Sequence, residues 1–208
     1  MKRMLQSLVL AAGLAAVAAW GAETAPDELV KTTSKEVIEI IKQDKDSRSG
    51  RKLLDLVDAK VLPHFDFTRM TRLAVGKNWR SATPEQQQSL VREFRTLLVR
   101  TYSTALSTYK DQVIEVKPLK LAPADTEVTV RTQVVQSGAQ PVQIDYAMEK
   151  KPEGWKVFDV TVAGVSLVTN YRSTFDRQIA DGGIDGLIKS LADKNKSLEE
   201  GSSPKRAS

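Results

Sequence analysis

Covalent chemistry needs side chains that attack, ionise or ligate, and this chain offers few of them. Its 208 residues include no cysteine, which removes thiol nucleophiles, disulfides, Cys-ligated zinc and iron–sulfur clusters together. One histidine, His64, cannot build a multi-histidine metal site and is poor material for a histidine-based relay. It lies in Pro63-His64-Phe65-Asp66 at an expected helix junction, where a loop histidine bonded to nearby backbone is the expected role. The string closest to a nucleophile elbow, Gly164-Val165-Ser166-Leu167-Val168, lacks the second glycine and leaves an antiparallel region. Ser166 therefore reads as a helix cap. Asp145 and Asp159 fall on adjacent strands, but each alternates away from apolar neighbours, Asp159 from Phe158 and Val160. Ion pairing is their expected use. No phosphate-cradling glycine loop and no calcium loop is present. No catalytic residue and no metal ligand is assigned, and an enzyme is not expected.

The elements that must position any site follow from hydrophobic period. Residues 26–45 carry Leu29, Val30, Val37, Ile38, Ile40 and Ile41 at helical spacing. A second helix, 51–62, ends before Pro63, and a short third, 66–75, stops at Gly76. Thr83-Pro84-Glu85-Gln86 is the start of a long helix that keeps one apolar face to about residue 110. After Asp111 the period changes to two. Strands are expected at 113–121, 127–136, around Val142 to Met148, and at 155–162. A helix capped by Ser166 should run to about Ala180, with Gly182-Gly183 separating it from a last helix at 184–194. The expected class is α+β: a four-stranded antiparallel curved sheet packed against several helices. Helices laid across its apolar face can close a solid core or leave a pocket.

Both ends of the chain read as separate from the domain. Lys2 and Arg3 precede an apolar run at 8–20, followed by small residues, so 1–21 is expected to be a cleaved signal peptide. That run is shorter than the about 20 residues needed to span a bilayer. With no cysteine behind it, no lipoprotein anchor is expected. Residues 22–196 then form the domain, and the polar stretch 197–208 a flexible tail. Without Lys2 and Arg3, 29 basic residues stand against 26 acidic ones, a net +3. That bias is too weak to argue for nucleic acid, though it assists contact with anionic membranes.

The closing segment carries a specific likeness. Gly154-Trp155-Lys156-Val157-Phe158-Asp159-Val160, then Gly164-Val165-Ser166-Leu167-Val168 and Asn170-Tyr171-Arg172-Ser173-Thr174-Phe175, resemble the signature of the MlaC family. These are periplasmic phospholipid-binding proteins of the Mla (maintenance of lipid asymmetry) pathway, also called toluene-tolerance auxiliary proteins. Pro63-His64-Phe65-Asp66-Phe67, Gly76-Lys77-Asn78-Trp79 and Leu97-Leu98-Val99-Arg100-Thr101-Tyr102 also resemble family stretches, and the likeness runs from about 26 to 194.

The resemblance implies a soluble, monomeric periplasmic carrier that holds phospholipid tails in an apolar pocket between sheet and helices. Its partners would be an inner-membrane ABC transporter complex and an outer-membrane lipoprotein–porin complex, with transient membrane contact and no nucleic acid. No cofactor is implied beyond phospholipid as cargo. About 30 methylenes at roughly 0.8 kcal/mol each must be kept from water, so only a deep, dry cavity suffices. The expected walls are Leu98, Tyr102 and Leu106 from the long helix, with Val130, Val134, Ile144, Tyr146 and Met148 from the strands. Val160, Val162, Val165, Leu167 and Tyr171 complete them, the tyrosines turning their hydroxyls to a polar mouth. Arg172 is the expected headgroup or mouth contact. Ordinary core packing competes for each wall residue, and an ion pair for Arg172. A periplasmic chaperone or structural partner protein without lipid cargo is the alternative function.

Overall fold

The computed structural model describes residues 24–44, 50–107 and 111–202, so the expected signal peptide and residues 203–208 lie outside them. Helix α1 (Pro26–Gln43) has proline at its start and Asp27 and Glu28 in its first turn, where the helix dipole favours acids. Helix α2 (Gly50–Lys60) gives way to a 3-10 turn at Leu62–His64. Helix α3 (Phe67–Val75) is capped by Asp66, whose carboxylate accepts the Arg69 N–H at 2.8 Å. Before α4 (Pro84–Ser107), Thr83 and Gln86 form a reciprocal capping box, with bonds of 3.0 and 3.2 Å.

The sheet has five strands where four were expected. They are β1 (Val113–Val116), β2 (Glu127–Val135), β3 (Val142–Lys151), β4 (Gly154–Val162) and β5 (Val165–Ser166), antiparallel in sequence order. The extra strand exists because Ala163 and Gly164, at φ 48° and 83°, make a two-residue turn of the type I′ kind. The chain doubles back and pairs Val165 with Val162 before any helix begins. Strand β1 ends before Pro118, short of the expected residue 121, after a last ladder bond from the Lys117 N–H to the Arg131 carbonyl at 2.9 Å.

Strand β4 also departs from strict alternation. Ala147 pairs with Asp159 but Met148 pairs with Val157, so Phe158 is an extra residue in a bulge. Trp155, Val157 and Val160 consequently share the core face, while Phe158 turns away and lies under the Arg69 guanidinium, 3.5 Å from its ring centroid.

Helix α5 (Leu167–Ser202) starts as expected from Ser166, whose hydroxyl oxygen accepts the Thr169 N–H at 3.0 Å. Asp159 joins this cap, accepting the Val168 N–H at 3.2 Å and the Ser166 hydroxyl at 2.6 Å. The ion pair expected of Asp159 is replaced by capping, because the doubled-back β5 brings the helix start to it. Asp145 likewise accepts from the Gln143 amide at 2.9 Å and has no ion pair among the described residues. Gly183 (φ 67°, ψ −170°), in backbone space open essentially to glycine alone, kinks α5. The second arm continues to Ser202, beyond the expected end at 194, and its Leu198 packs on the helical core.

Two cores result. Met70, Ala74 and Val75 of α3, Leu90, Phe94 and Leu97 of α4, and Phe175, Leu187 and Leu191 of α5 form a helical one. Val130, Met148, Trp155, Val157 and Val160 form a sheet core, closed over by Val30 of α1. A polar clamp ties α3 to the sheet. Arg69 reaches Glu149 at 2.5 Å and Glu127 at 2.7 Å, two like charges set opposite each other across β2 and β3. Asp66 adds Lys151 at 3.2 Å, and its N–H donates to the Val157 carbonyl at 2.8 Å.

Burial alone would raise the Asp66 carboxyl; the Arg69 N–H, Lys151 and Glu149 outweigh it and hold the group below the ordinary aspartate range. Asp66→Ala should therefore cost about 1–2 kcal/mol in urea unfolding at pH 7. A lowered folded-state pKa stabilises above the unfolded value, so this penalty should shrink as pH falls below about 4. Ala163→Asn should add about 1 kcal/mol in the same assay, since asparagine tolerates the left-handed backbone that alanine does not.

Candidate functional site

Between the two cores lies a cavity of about 410 Å³, within the range of ligand sites, roughly 300–1,000 Å³. Helix α1 supplies Leu29, Val30, Thr33, Ser34, Val37 and Ile38, the spacing of a single helix face. Val57 of α2 and then Val61, Leu62, His64 and Phe65 continue the wall, followed by Phe67 and Met70 of α3. Phe65 and Phe67 stack at 5.7 Å, which stiffens this corner. Helix α4 contributes Leu98, Val99, Tyr102, Ser103 and Leu106. The sheet closes the opposite side with Ile114, Ile144, Tyr146, Met148, Val157, Val160 and Val162, and Leu167 completes the lining.

Among the described residues no aspartate, glutamate, lysine or arginine lines this space. His64 is its one titratable base. Burial, and then the nearby charge of Lys156, lower its pKa, so the ring is held neutral. Its expected backbone bond is missing: the ring faces the cavity without a side-chain hydrogen bond to the described residues. Such a site has the chemistry to hold hydrocarbon and lacks an acid–base pair. Among the described residues no cluster of three metal-ligating side chains exists, and no helix is long and apolar enough to cross a membrane.

Of the residues singled out from sequence, Leu98, Tyr102, Leu106, Ile144, Tyr146, Met148, Val160, Val162 and Leu167 lie on this wall. Four others do not. Val130 is completely buried beneath Leu29 and Val30, since α1 closes over that part of β2. Val134 shares the Val130 face of β2 but lies outside the lining. Val165 is 56% exposed on β5. Tyr171 packs into the helical core, edge-on to Phe94 at 5.0 Å. Burial, and then the Tyr102 phenol beside it, push its pKa up to about 12. Arg172 sits away from the cavity, donating from Nε and Nη2 to the Leu73 carbonyl at 2.9 and 2.5 Å.

The tyrosines also differ from expectation in where their hydroxyls point. Tyr146 is held above the ordinary phenol range by burial, and its hydroxyl meets Thr132 on the sheet instead of a polar mouth. Tyr102, at 39% exposure, is the one at the edge. There the sheet register puts Val142 and Val165 on the same face as Ile144 and Val162, and both are exposed. The apolar face thus runs out to solvent at the end of the sheet where β3 begins and β4 ends. The α1 wall and the Phe65–Phe67–Met70 corner were missed by the sequence reading. An apolar helix stripe looks the same whether it faces a core or a void; Thr33 and Ser34 inside the α1 stripe were the available signal.

The MlaC protein family model matches residues 31–193, a span that holds every lining residue except Leu29 and Val30. The chain is 25% identical over 175 residues to the intermembrane phospholipid transport system binding protein MlaC of Haemophilus influenzae, covering 82% of each chain. It is 27% identical over 188 residues to toluene tolerance protein ttg2D of Pseudomonas putida, covering 89% of this chain and 85% of that one. Among solved structures it is similar to a phospholipid-binding protein from Ralstonia solanacearum in complex with a phospholipid. That likeness has a TM-score of 0.79 and 41% identity, and covers 85% of this chain and 99% of the other. A chain matched over this length, with the cavity walls inside the match, belongs to the MlaC family.

Proposed function

We propose that this chain is a periplasmic phospholipid carrier. After removal of residues 1–21 it buries acyl chains in the cavity and moves lipid between an inner-membrane ABC transporter complex and an outer-membrane lipoprotein–porin complex. The observation that carries this reading is the cavity of about 410 Å³ with no charged wall residue among the described residues. Apolar walls left facing water forgo roughly 25 cal/mol for each Å² that hydrocarbon could cover, so a filled cavity is the favoured state. The phospholipid held by the Ralstonia relative supports hydrocarbon as the filling.

In this reading the nine wall residues found from sequence, with the α1 face and Phe65, Phe67 and Met70, contact the tails. The headgroup leaves by the exposed edge at Tyr102, Val142 and Val165. One chain encloses the cavity, so a monomer suffices, and binding and release need no cofactor.

Native mass spectrometry of protein purified without detergent should show a stoichiometric phospholipid. A protein that stays empty after mixing with lipid vesicles would favour the cargo-free chaperone reading. Ile144→Trp, which fills the space, and Val162→Glu, which sets a charge against hydrocarbon, should each abolish the load while far-ultraviolet circular dichroism stays native. Wild-type protein should also speed transfer of a fluorescent phospholipid between two vesicle populations, and both variants should lose most of that acceleration.

A further inference from the structure

A second concavity, of about 400 Å³, lies on the far side of α3 and shares no residue with the cavity. Its walls carry Arg72, Lys77, Arg80 and Arg172 around Trp79 and, among the described residues, no acidic one. Like charges gathered this closely repel, and within proteins they are ordinarily offset by carboxylates. Here none of the four has a carboxylate within ion-pair distance among the described residues. The nearest acid along the chain, Asp176, is engaged by the Asn78 amide at 3.2 Å. Arg172 is held in place by its two bonds to the Leu73 carbonyl, at the C-terminal end of α3 where a cation suits the helix dipole. Arg72, Lys77 and Arg80 are exposed and make no such bond. Arg72 lies in the last turn of α3, where the helix dipole favours a cation, but among the described residues none of the three has a carboxylate partner.

We infer that this basic concavity docks the protein on a bilayer by receiving the phosphate of an anionic phospholipid headgroup. Clustered lysine and arginine in a pocket of headgroup size match a phosphate diester, which takes several N–H donors at once. Trp79 adds the side chain most at home between headgroup and hydrocarbon; it is half-buried against the helical core, so its indole is presented rigidly. The choice of a bilayer as the phosphate source rests on the carrier reading. Because α3 lines the lipid cavity with Phe67 and Met70 and this concavity with Arg72 and Leu73, docking and cargo share one rigid helix.

The test is flotation of the full mature protein with vesicles of phosphatidylcholine alone or of phosphatidylcholine mixed with anionic phosphatidylglycerol, at physiological salt. Wild-type protein should prefer the anionic vesicles. The combined variant Arg72→Gln, Lys77→Gln, Arg80→Gln should bind them about 100-fold more weakly, at roughly fivefold per charge. Arg172 is left intact because it supports the fold. Native mass spectrometry should show the same phospholipid load in both proteins, which separates this surface from the cavity. Equal binding of the two vesicle types, or an unchanged affinity in the variant, would overturn the inference. So would a Trp79 fluorescence response to inorganic phosphate without vesicle binding, which marks a free-anion site. An empty wild-type protein would instead overturn the carrier reading, leaving the vesicle result to judge the docking surface.

Discussion

A void can persist inside a small protein only if its walls are held by contacts that do not pass through it. That constraint organises this molecule. The helical core around Phe94 and Phe175 and the sheet core around Val130 and Trp155 are packed as separate clusters that share Phe65 at one corner. The space between them is what remains when both are satisfied. Phe94 stands at the centre of the first, edge-on to both Tyr171 and Phe175 at 5.0 and 5.1 Å, a geometry that favours one fixed arrangement over sliding.

Phe65 touches both cores, and beside it a polar clamp ties them together. Arg69 spans Glu127 and Glu149 and covers Phe158, while Asp66 caps α3 and takes Lys151. Each member relieves a cost the others create: the glutamates repel across the strands, and the arginine would be a partly buried charge without them. Hydrogen bonds have preferred lengths and directions, so they can hold two bodies at a set separation.

The helices were legible because their ends are chemically marked: Thr83 and Gln86 cap one, and Ser166 caps another. The class, the strand order and nine wall residues also followed from period and likeness. What escaped is tertiary in origin. β5 depends on Ala163 accepting a left-handed backbone, which alanine does not advertise. Val130 keeps the same alternation as its neighbours and is nevertheless core, because α1, about a hundred residues earlier, lies over it. Arg172 looked like a mouth residue by its place in the motif, but the Leu73 carbonyl claims it. Local pattern says that a side chain is apolar or charged; which surface meets it is decided by the rest of the chain.

The bulge at Phe158 lets β4 absorb a change of length at one point without exchanging its faces. With the extra residue in place, Val157 and Val160 face inward together although three positions separate them. Exchanging Phe158 for another large side chain alters only what Arg69 rests on. Removing it would leave Val157, Asp159 and Val160 in strict alternation on the same partners, Met148, Ala147 and Tyr146, so Val160 and Val162 would stay inward. What would go is the local bend of the strand and the ring beneath Arg69. An insertion or deletion elsewhere in β4 has no unpaired residue to absorb it, and there a one-residue slip carries every later side chain to the opposite face.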